Sequence, residues 1–293
     1  MKNIGYILLF SLMLFSSCIR DEIAPCPPLR VNLTVKDKNY FNVERVVLEN
    51  KRSEDLAFNA YVPTLYYQLR DAATGEVVDE KDVFAVSGDD KTFPVAFCDC
   101  LPHGKYILTV WGGLKEGGSL SDDALSAVLH ADGEEGDDLY MANDTLLYDA
   151  QHYDYTIGLQ RTKGKLIIQA EKLPASVNYG DVTVSGLFRK LDCGFHYSDQ
   201  TSVHKQPEWG VRSEAVVKTV LAPSTQEKGS RVNVKFYDKP ERVVPALTPK
   251  EVNITMKRNE LTVLRYVYEE ESGNFIIYIL MNDSWDVIYD MEI

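Results

Sequence analysis

Hydrophobic and polar residues alternate along many short stretches of this chain, with the period of two that is typical of a half-buried β-strand. Leu29, Val31, Leu33 and Val35 are separated by polar residues in this way. The segment 106–111 (YILTVW) is the strongest strand of the first half. Residues 65–69 and 76–78 flank a turn that contains Gly75, and this arrangement predicts a β-hairpin.

The second half of the chain repeats the pattern at a spacing of about ten residues, with polar or glycine-containing turns between the apolar segments. The strands predicted there cover residues 165–170, 182–188, 215–221, 232–237, 252–256, 261–268 and 275–282, with a last edge strand at 285–293.

Stretches with helical periodicity are almost missing, which argues against a parallel α/β sheet and favours β-sandwiches. One short helix is predicted in the middle of the chain, at 121–130, with Ser121 or Asp122 as its cap. We predict an all-β chain of two antiparallel sandwich domains, at 29–158 and 159–293, preceded by a signal peptide.

The N-terminus has the features of a bacterial lipoprotein signal. Lys2 precedes the apolar run 4–15, and the small residues Ser16 and Ser17 lead directly to Cys18. The run is about 12 residues long, whereas a membrane-spanning helix needs about 20. We therefore predict that residues 1–17 are a signal peptide, that Cys18 carries the lipid, and that residues 18–28 form a tether. An ordinary signal peptide that is cut elsewhere is the alternative.

The charge of the chain limits its partners. The sequence has a formal net charge of −13, and removal of residues 1–17 takes away one lysine and leaves −14. Nucleic acid binding requires a basic face, so it is not expected. The negative charge also argues against an electrostatic attachment to anionic lipid, so the acyl chains on Cys18 would supply the membrane attachment.

Four cysteines remain after Cys18, and an exported protein is free to oxidise them. A disulfide from Cys26 to Cys98 or to Cys100 would join the tether to the first domain, and the sequence leaves both pairings open. Cys193 is expected to be a free buried thiol.

No catalytic or metal-binding motif is evident. The five histidines show no metal-ligand spacing, so surface or turn positions are expected for them, and we predict neither a metal nor another cofactor. The acidic run 132–138 lacks the ligand spacing of a calcium loop and is expected to be a solvated loop. The 17 tyrosines suit a binding surface and strand interiors equally well. The sequence therefore predicts a binding or anchoring protein and not an enzyme.

Several segments, taken in order, resemble the FimB-like family of fimbrial anchor and accessory lipoproteins from Bacteroidales-type bacteria. They are the lipid cysteine followed by acidic residues and Cys26-Pro27, the segment 101–113 (LPHGKYILTVWGG), the segment 159–161 before a strand, and the segment 252–259 (VNITMKRN).

This resemblance implies two tandem transthyretin-like β-sandwiches at the base of a cell-surface fimbria, on the outer membrane. It also implies a pilin subunit as the partner, held through a sheet edge or by side-by-side docking. The alternative is a surface glycan-binding lipoprotein of a nutrient-uptake system.

Overall fold

The computed structural model describes residues 27–97, 101–115, 119–210, 214–281 and 284–289. Within these ranges the chain forms 17 strands, a single 3-10 turn at Val43–Arg45 and one four-residue helix, α1 (Phe58–Tyr61). No helix in this part of the chain is long and apolar enough to cross a bilayer. The predicted all-β fold class is confirmed.

The first sandwich contains seven strands in the order β3-β2-β5-β7-β8-β1-β4, and β7 and β8 pair over only two residues. Leucine, valine and tyrosine side chains from both sides of this narrow pairing form one core. The strands of the first half are β1 (Arg30–Val35), β2 (Thr64–Asp71), β3 (Val77–Ala85), β4 (Phe93–Ala96), β5 (Gly104–Gly112), β6 (Ser126–Val128), β7 (Tyr140–Tyr148) and β8 (Asp154–Arg161).

The second sandwich has two sheets, ordered β12-β9-β15-β16-β17 and β11-β10-β13-β14, which enclose a second core. Its strands are β9 (Gly164–Glu171), β10 (Tyr179–Asp192), β11 (Tyr197–Lys205), β12 (Glu214–Leu221), β13 (Ser230–Tyr237), β14 (Val252–Ile254), β15 (Leu261–Glu269), β16 (Asn274–Met281) and β17 (Ser284–Tyr289). The two pairs β1–β8 and β9–β15 are parallel, and the other strand pairs are antiparallel. Parallel strands need a long crossover connection, and long stretches of chain separate the strands of both pairs.

Two long connections leave the first sandwich and pack against the second. The first connection (residues 36–63) follows β1, and Tyr40, Val43 and Val46 cover Ile167 and Val263 on the outer face of the β9–β15 pair. Because this region of the sheet is buried on both faces, β9 has the continuous apolar run LII instead of a strict alternation.

The second connection (residues 113–139) contains β6, which pairs with the end of β10 in the other sandwich. The helix predicted at 121–130 is therefore wrong. Ser126 N–H donates to Ser121 Oγ over 3.1 Å, so the chain turns back on itself, and residues 126–128 then complete a sheet. Short side-chain bonds of this kind compete with helix formation.

The two sandwiches are joined end to end. β8 ends at Arg161 and β9 begins at Gly164, so the polypeptide passes from one sandwich to the other through two residues. The predicted domain boundary at 158/159 falls within β8, and the sequence position of the boundary stays a prediction. We call the region where the two connections meet β8, β9 and β10 the junction.

Candidate functional site

The residues around the predicted tether gather at the end of the first sandwich that lies away from the junction. Tyr148 Oη donates to the Pro27 carbonyl over 2.7 Å, and Phe97 N–H donates to the Leu29 carbonyl over 2.9 Å. Arg30 N–H donates to the Tyr153 carbonyl over 2.7 Å. We call this end the base pole. The predicted site residues Cys18, Cys26, Cys98 and Cys100 lie outside the described residues, so their lipid and disulfide stay predictions.

A buried arginine lies at the centre of the junction. The Arg161 guanidinium carbon is 4.4 Å from the centre of the Tyr40 ring and 4.8 Å from that of Tyr140, and the guanidinium forms an ion pair with Asp138. Burial opposes the charge, but the carboxylate and the two phenol groups outweigh this effect and raise the pKa of Arg161. The arrangement joins the first connection, the second connection and β8 through one cation.

Two further basic groups of the junction are buried. Lys163 Nζ donates to the carbonyls of Leu129 and Glu135 over 2.6 and 2.8 Å, and burial lowers the pKa of this lysine to about 8. His130 accepts a hydrogen bond from Ala222 N–H through Nε2, and its Nδ1 lies 3.0 Å from the Glu134 carbonyl. These contacts indicate a neutral ring with the proton on Nδ1. Burial lowers the pKa of His130 to about 3.

The position of His130 corrects the prediction that the histidines occupy surface or turn sites. His103, His152, His196 and His204 are exposed as expected, but His130 is fully buried. The residues that surround His130 come from both halves of the chain, and the sequence does not show that they lie close together in the fold. The described residues contain no group of three or more side chains that could hold a metal ion.

The acidic run 132–138 is only partly the predicted solvated loop: Asp132 and Glu134 are exposed, but the other acidic residues form contacts. Besides the Asp138 contact, Glu135 pairs with Lys205 at 2.7 Å and its other oxygen accepts from Val220 N–H at 2.6 Å. Asp137 pairs with Lys115 at 3.0 Å. Asp138 therefore connects this loop to β8 of the first sandwich, and Glu135 connects it to β11 and β12 of the second.

Three more ion pairs complete the junction. Glu49 of the first connection bridges Lys165 at 2.7 Å and Lys218 at 2.9 Å, both in the second sandwich. Arg258 pairs with Asp37 at 2.9 Å and donates to the Arg161 carbonyl at the same distance. Sequence reasoning did not identify these residues. The closely spaced cations at 161, 163 and 165 and the acidic run 132–138 were the available signals in the sequence.

The junction also has an apolar part. Trp111 is fully buried, and its indole N–H donates to the Ala124 carbonyl over 2.9 Å. Leu191 and Ala222 of the second sandwich pack into the same cluster. A junction of buried apolar and paired charged groups resists rotation of one sandwich against the other.

The opposite end of the second sandwich, which we call the distal pole, presents apolar side chains to solvent. It comprises the loops 172–178, 206–210, 238–251 and 270–273. Val243 and Val244 are 82% and 74% exposed. The loop that carries them is held by Arg242, whose guanidinium donates to the Gly180 carbonyl over 3.2 Å and lies 5.3 Å from the Tyr179 ring centre.

Two sheet edges are protected against pairing with another strand. The outer edge of β12 is occupied by the Glu135 contact to Val220 N–H and by Lys205, which donates to the Lys218 carbonyl over 2.6 Å. The edge strand β3 has two register irregularities against β2 and carries the charged run 79–82. Bulges, charged side chains and capped backbone groups of this kind discourage strand addition.

Cys193 has a free, half-buried thiol in the turn after β10.

Comparison with known proteins finds the same fold in several solved structures. No family model and no curated protein matches the sequence. A candidate adhesin from Bacteroides ovatus matches with a TM-score of 0.60 and 15% identity, over 94% of this chain and 98% of that chain. The fimbrial anchor protein Mfa2 from Porphyromonas gingivalis matches with a TM-score of 0.56 and 14% identity, over 90% of this chain and 100% of that chain.

A candidate polysaccharide-binding protein from Bacteroides thetaiotaomicron also shares the fold, with a TM-score of 0.57 and 12% identity over 89% of this chain and 98% of that chain. The resemblance expected from the sequence is thus confirmed at the level of the fold. At these identities the likeness shows the fold alone.

Proposed function

We propose that this chain is a lipid-anchored, surface-exposed anchor or accessory subunit of a fimbria, which binds a pilin and catalyses no reaction. The observation that carries the proposal is that the base pole and the distal pole lie at opposite ends of two sandwiches. Buried apolar groups and ion pairs at the junction hold these sandwiches together. The fold shared with a fimbrial anchor protein supports it.

The base pole suits attachment to the outer membrane. Pro27, the first described residue, is held there by Tyr148, and it lies nine positions after Cys18. Nine extended residues span at most about 30 Å, so a lipid on Cys18 would keep the first sandwich close to the membrane. Acyl chains give such attachment when more than one is present.

The junction suits a protein that transmits force along its length. A pull between the membrane and a fimbria would act on the two-residue passage between β8 and β9. The apolar clusters and ion pairs beside that passage would have to break before the sandwiches could separate. A flexible linker between independent domains would offer no comparable resistance.

The distal pole suits docking of a pilin by side-chain contact. Exposed valines at the end of a fixed loop are available for burial, and each fully buried valine contributes roughly 1.5 kcal/mol or more. The protected edges of β3 and β12 are poor acceptors for a donated strand. We therefore favour docking at the distal pole over strand addition at these two edges.

The attachment is tested by replacing the lipid cysteine. In the bacterium that encodes the chain, Cys18→Ala is expected to lose the acyl modification and to leave the membrane fraction. Cys193→Ala is the matched control, because it is also a cysteine-to-alanine change but at a free thiol, and it should stay membrane-bound. Membrane retention of Cys18→Ala would contradict the lipid anchor.

The fimbrial role is tested in the same strains. Deletion of the gene is expected to change the length of the fimbriae or the fraction released by shearing, and wild-type protein should restore both. Fimbriae of unchanged length and attachment in the deletion strain would contradict an anchor or accessory role, whatever the outcome for Cys18.

A further inference from the structure

The outer face of the β11-β10-β13-β14 sheet contains a concavity of about 450 Å³. Its walls contain three carboxamides, one hydroxyl, two cationic side chains and two glycines, and no apolar side chain takes part. The lining residues are Gly186, Gln200, Thr225, Gln226, Lys228, Gly229, Arg231 and Asn253. A volume of this size is within the range of small-molecule sites.

The floor of the concavity depends on a close approach of two backbone segments. Gly186 interrupts the pairing of β10 with β11 as a bulge and has a φ of 75°. A Cβ at this position would lie 2.1 Å from the Gly229 carbonyl oxygen, so only glycine fits. Bulges often re-aim side chains next to binding sites.

The loop 224–229, which forms one wall, is fixed on both sides. Thr225 N–H donates to the Gly186 carbonyl over 3.0 Å. Lys228 N–H donates to Thr255 Oγ1 over 2.7 Å. The buried Ser224 hydroxyl lies 2.6 Å from the Ser230 hydroxyl and accepts from Met256 N–H over 2.7 Å. The wall is therefore formed before any ligand arrives, which reduces the ordering cost of binding.

The two cations at the rim are exposed, and within the described residues neither Lys228 nor Arg231 forms an ion pair. Arginine and lysine bind carboxylate and sulfate groups, and carboxamides both donate to and accept from hydroxyl groups.

We propose that this concavity binds an acidic saccharide, with Lys228 and Arg231 on its anionic groups and Gln200, Gln226 and Asn253 on its hydroxyls. A peptide ligand would use apolar pockets for its side chains, and this lining offers none. The site belongs to the sheet face and is separate from both poles, so it does not depend on the fimbrial role.

The test is isothermal titration of the full mature chain with tetragalacturonate as the probe, with neutral maltotetraose and tetraglutamate as comparison ligands. Lys228→Ala and Arg231→Ala should each weaken tetragalacturonate binding about tenfold, and Asn253→Leu should weaken it while leaving the charge unchanged. Lys105→Ala, an exposed lysine in the first sandwich, should have no effect.

The site does not exist as proposed if tetragalacturonate fails to bind, or if it binds equally well to the three variants. Equal affinity for tetraglutamate would show that charge alone is recognised, and this too would overturn the assignment to a saccharide. All four substitutions are at exposed side chains, so folding is expected to be retained, and unchanged thermal midpoints would confirm it.

Discussion

At the centre of the junction, Arg161 is held between two tyrosine rings and paired with a carboxylate, and its replacement should be costly. Arg161→Met leaves Asp138 partly buried without its cation, so we expect the free energy of unfolding to fall by about 3 kcal/mol. Urea unfolding measures the change.

The control for this prediction is Lys51→Met, which breaks the exposed pair with Glu44 at 2.5 Å. Exposed pairs contribute little to stability because water and salt screen them, so this variant should unfold almost like the wild type. If both variants lose the same small amount, Arg161 does not stabilise the junction.

His130 gives the junction a pH dependence. The folded protein keeps this ring neutral down to a pKa of about 3, whereas the unfolded chain binds a proton near pH 6.5. The unfolded state therefore binds more protons between these values, and stability falls as the pH is lowered through that window. From pH 7.5 to 5, above the range in which carboxylates titrate, this histidine should account for a loss of about 2 kcal/mol.

Denaturant unfolding at several pH values tests this effect. His130→Gln should flatten the pH dependence between 7.5 and 5, and His204→Gln, at an exposed histidine, should not. A His130→Gln protein with the slope of the wild type would show that another group is responsible.

The disulfide predicted from Cys26 to Cys98 or to Cys100 lies outside the described residues. The chain on either side of it is held together, because Arg30 pairs with Ala96 and Phe97 N–H donates to the Leu29 carbonyl. Peptide mapping under non-reducing conditions should therefore find Cys26 joined to one of these two cysteines. Recovery of Cys26 as a free thiol would contradict the prediction.

At the scale of elements, the alternation of apolar and polar residues predicted most strands. A strand with one buried and one exposed face must alternate them, because successive side chains point to opposite faces. It failed for β11, whose sequence YSDQTSVHK is largely polar because this edge strand has little apolar surface to bury. It also failed for β6, because a three-residue strand is defined only by its partner in the other sandwich. The junction contacts were missed for the same reason, since they join residues up to about 220 positions apart.

The fold requires glycine at the start of β9, because another segment of the backbone passes close to it. A Cβ on Gly164 would lie 2.2 Å from the Lys257 carbonyl oxygen, so the start of β9 would have to move away from the turn before β15. Gly164→Ala should reduce the free energy of unfolding by about 3 kcal/mol.

Gly104→Ala is the matched control, because no atom lies within 4 Å of its added Cβ, and it should change stability by less than about 0.5 kcal/mol. Thermal or urea unfolding compares the two proteins. Equal stability would mean that the close approach at Gly164 is not needed for the fold.

At the scale of the whole molecule, the end-to-end arrangement of the sandwiches gives the chain a direction. The predicted tether reaches the base pole, the junction prevents the sandwiches from turning independently, and the distal pole presents Val243 and Val244. The sequence indicated the membrane end of this arrangement through its N-terminal signal, and the two sandwiches through their strands. It could not indicate the distal pole, because exposed valines in a loop look like any other loop residues until the sheets are assembled.

The most direct measurement is retention of sheared fimbriae from the same bacterium on a resin that carries the full mature chain. The wild type and Val47→Asp, a control at another exposed valine, should retain fimbrial subunits. The double variant with Val243→Asp and Val244→Asp should lose that retention while keeping its thermal midpoint. Failure of the wild type to retain fimbrial subunits, or equal retention by the double variant, would contradict docking at the distal pole.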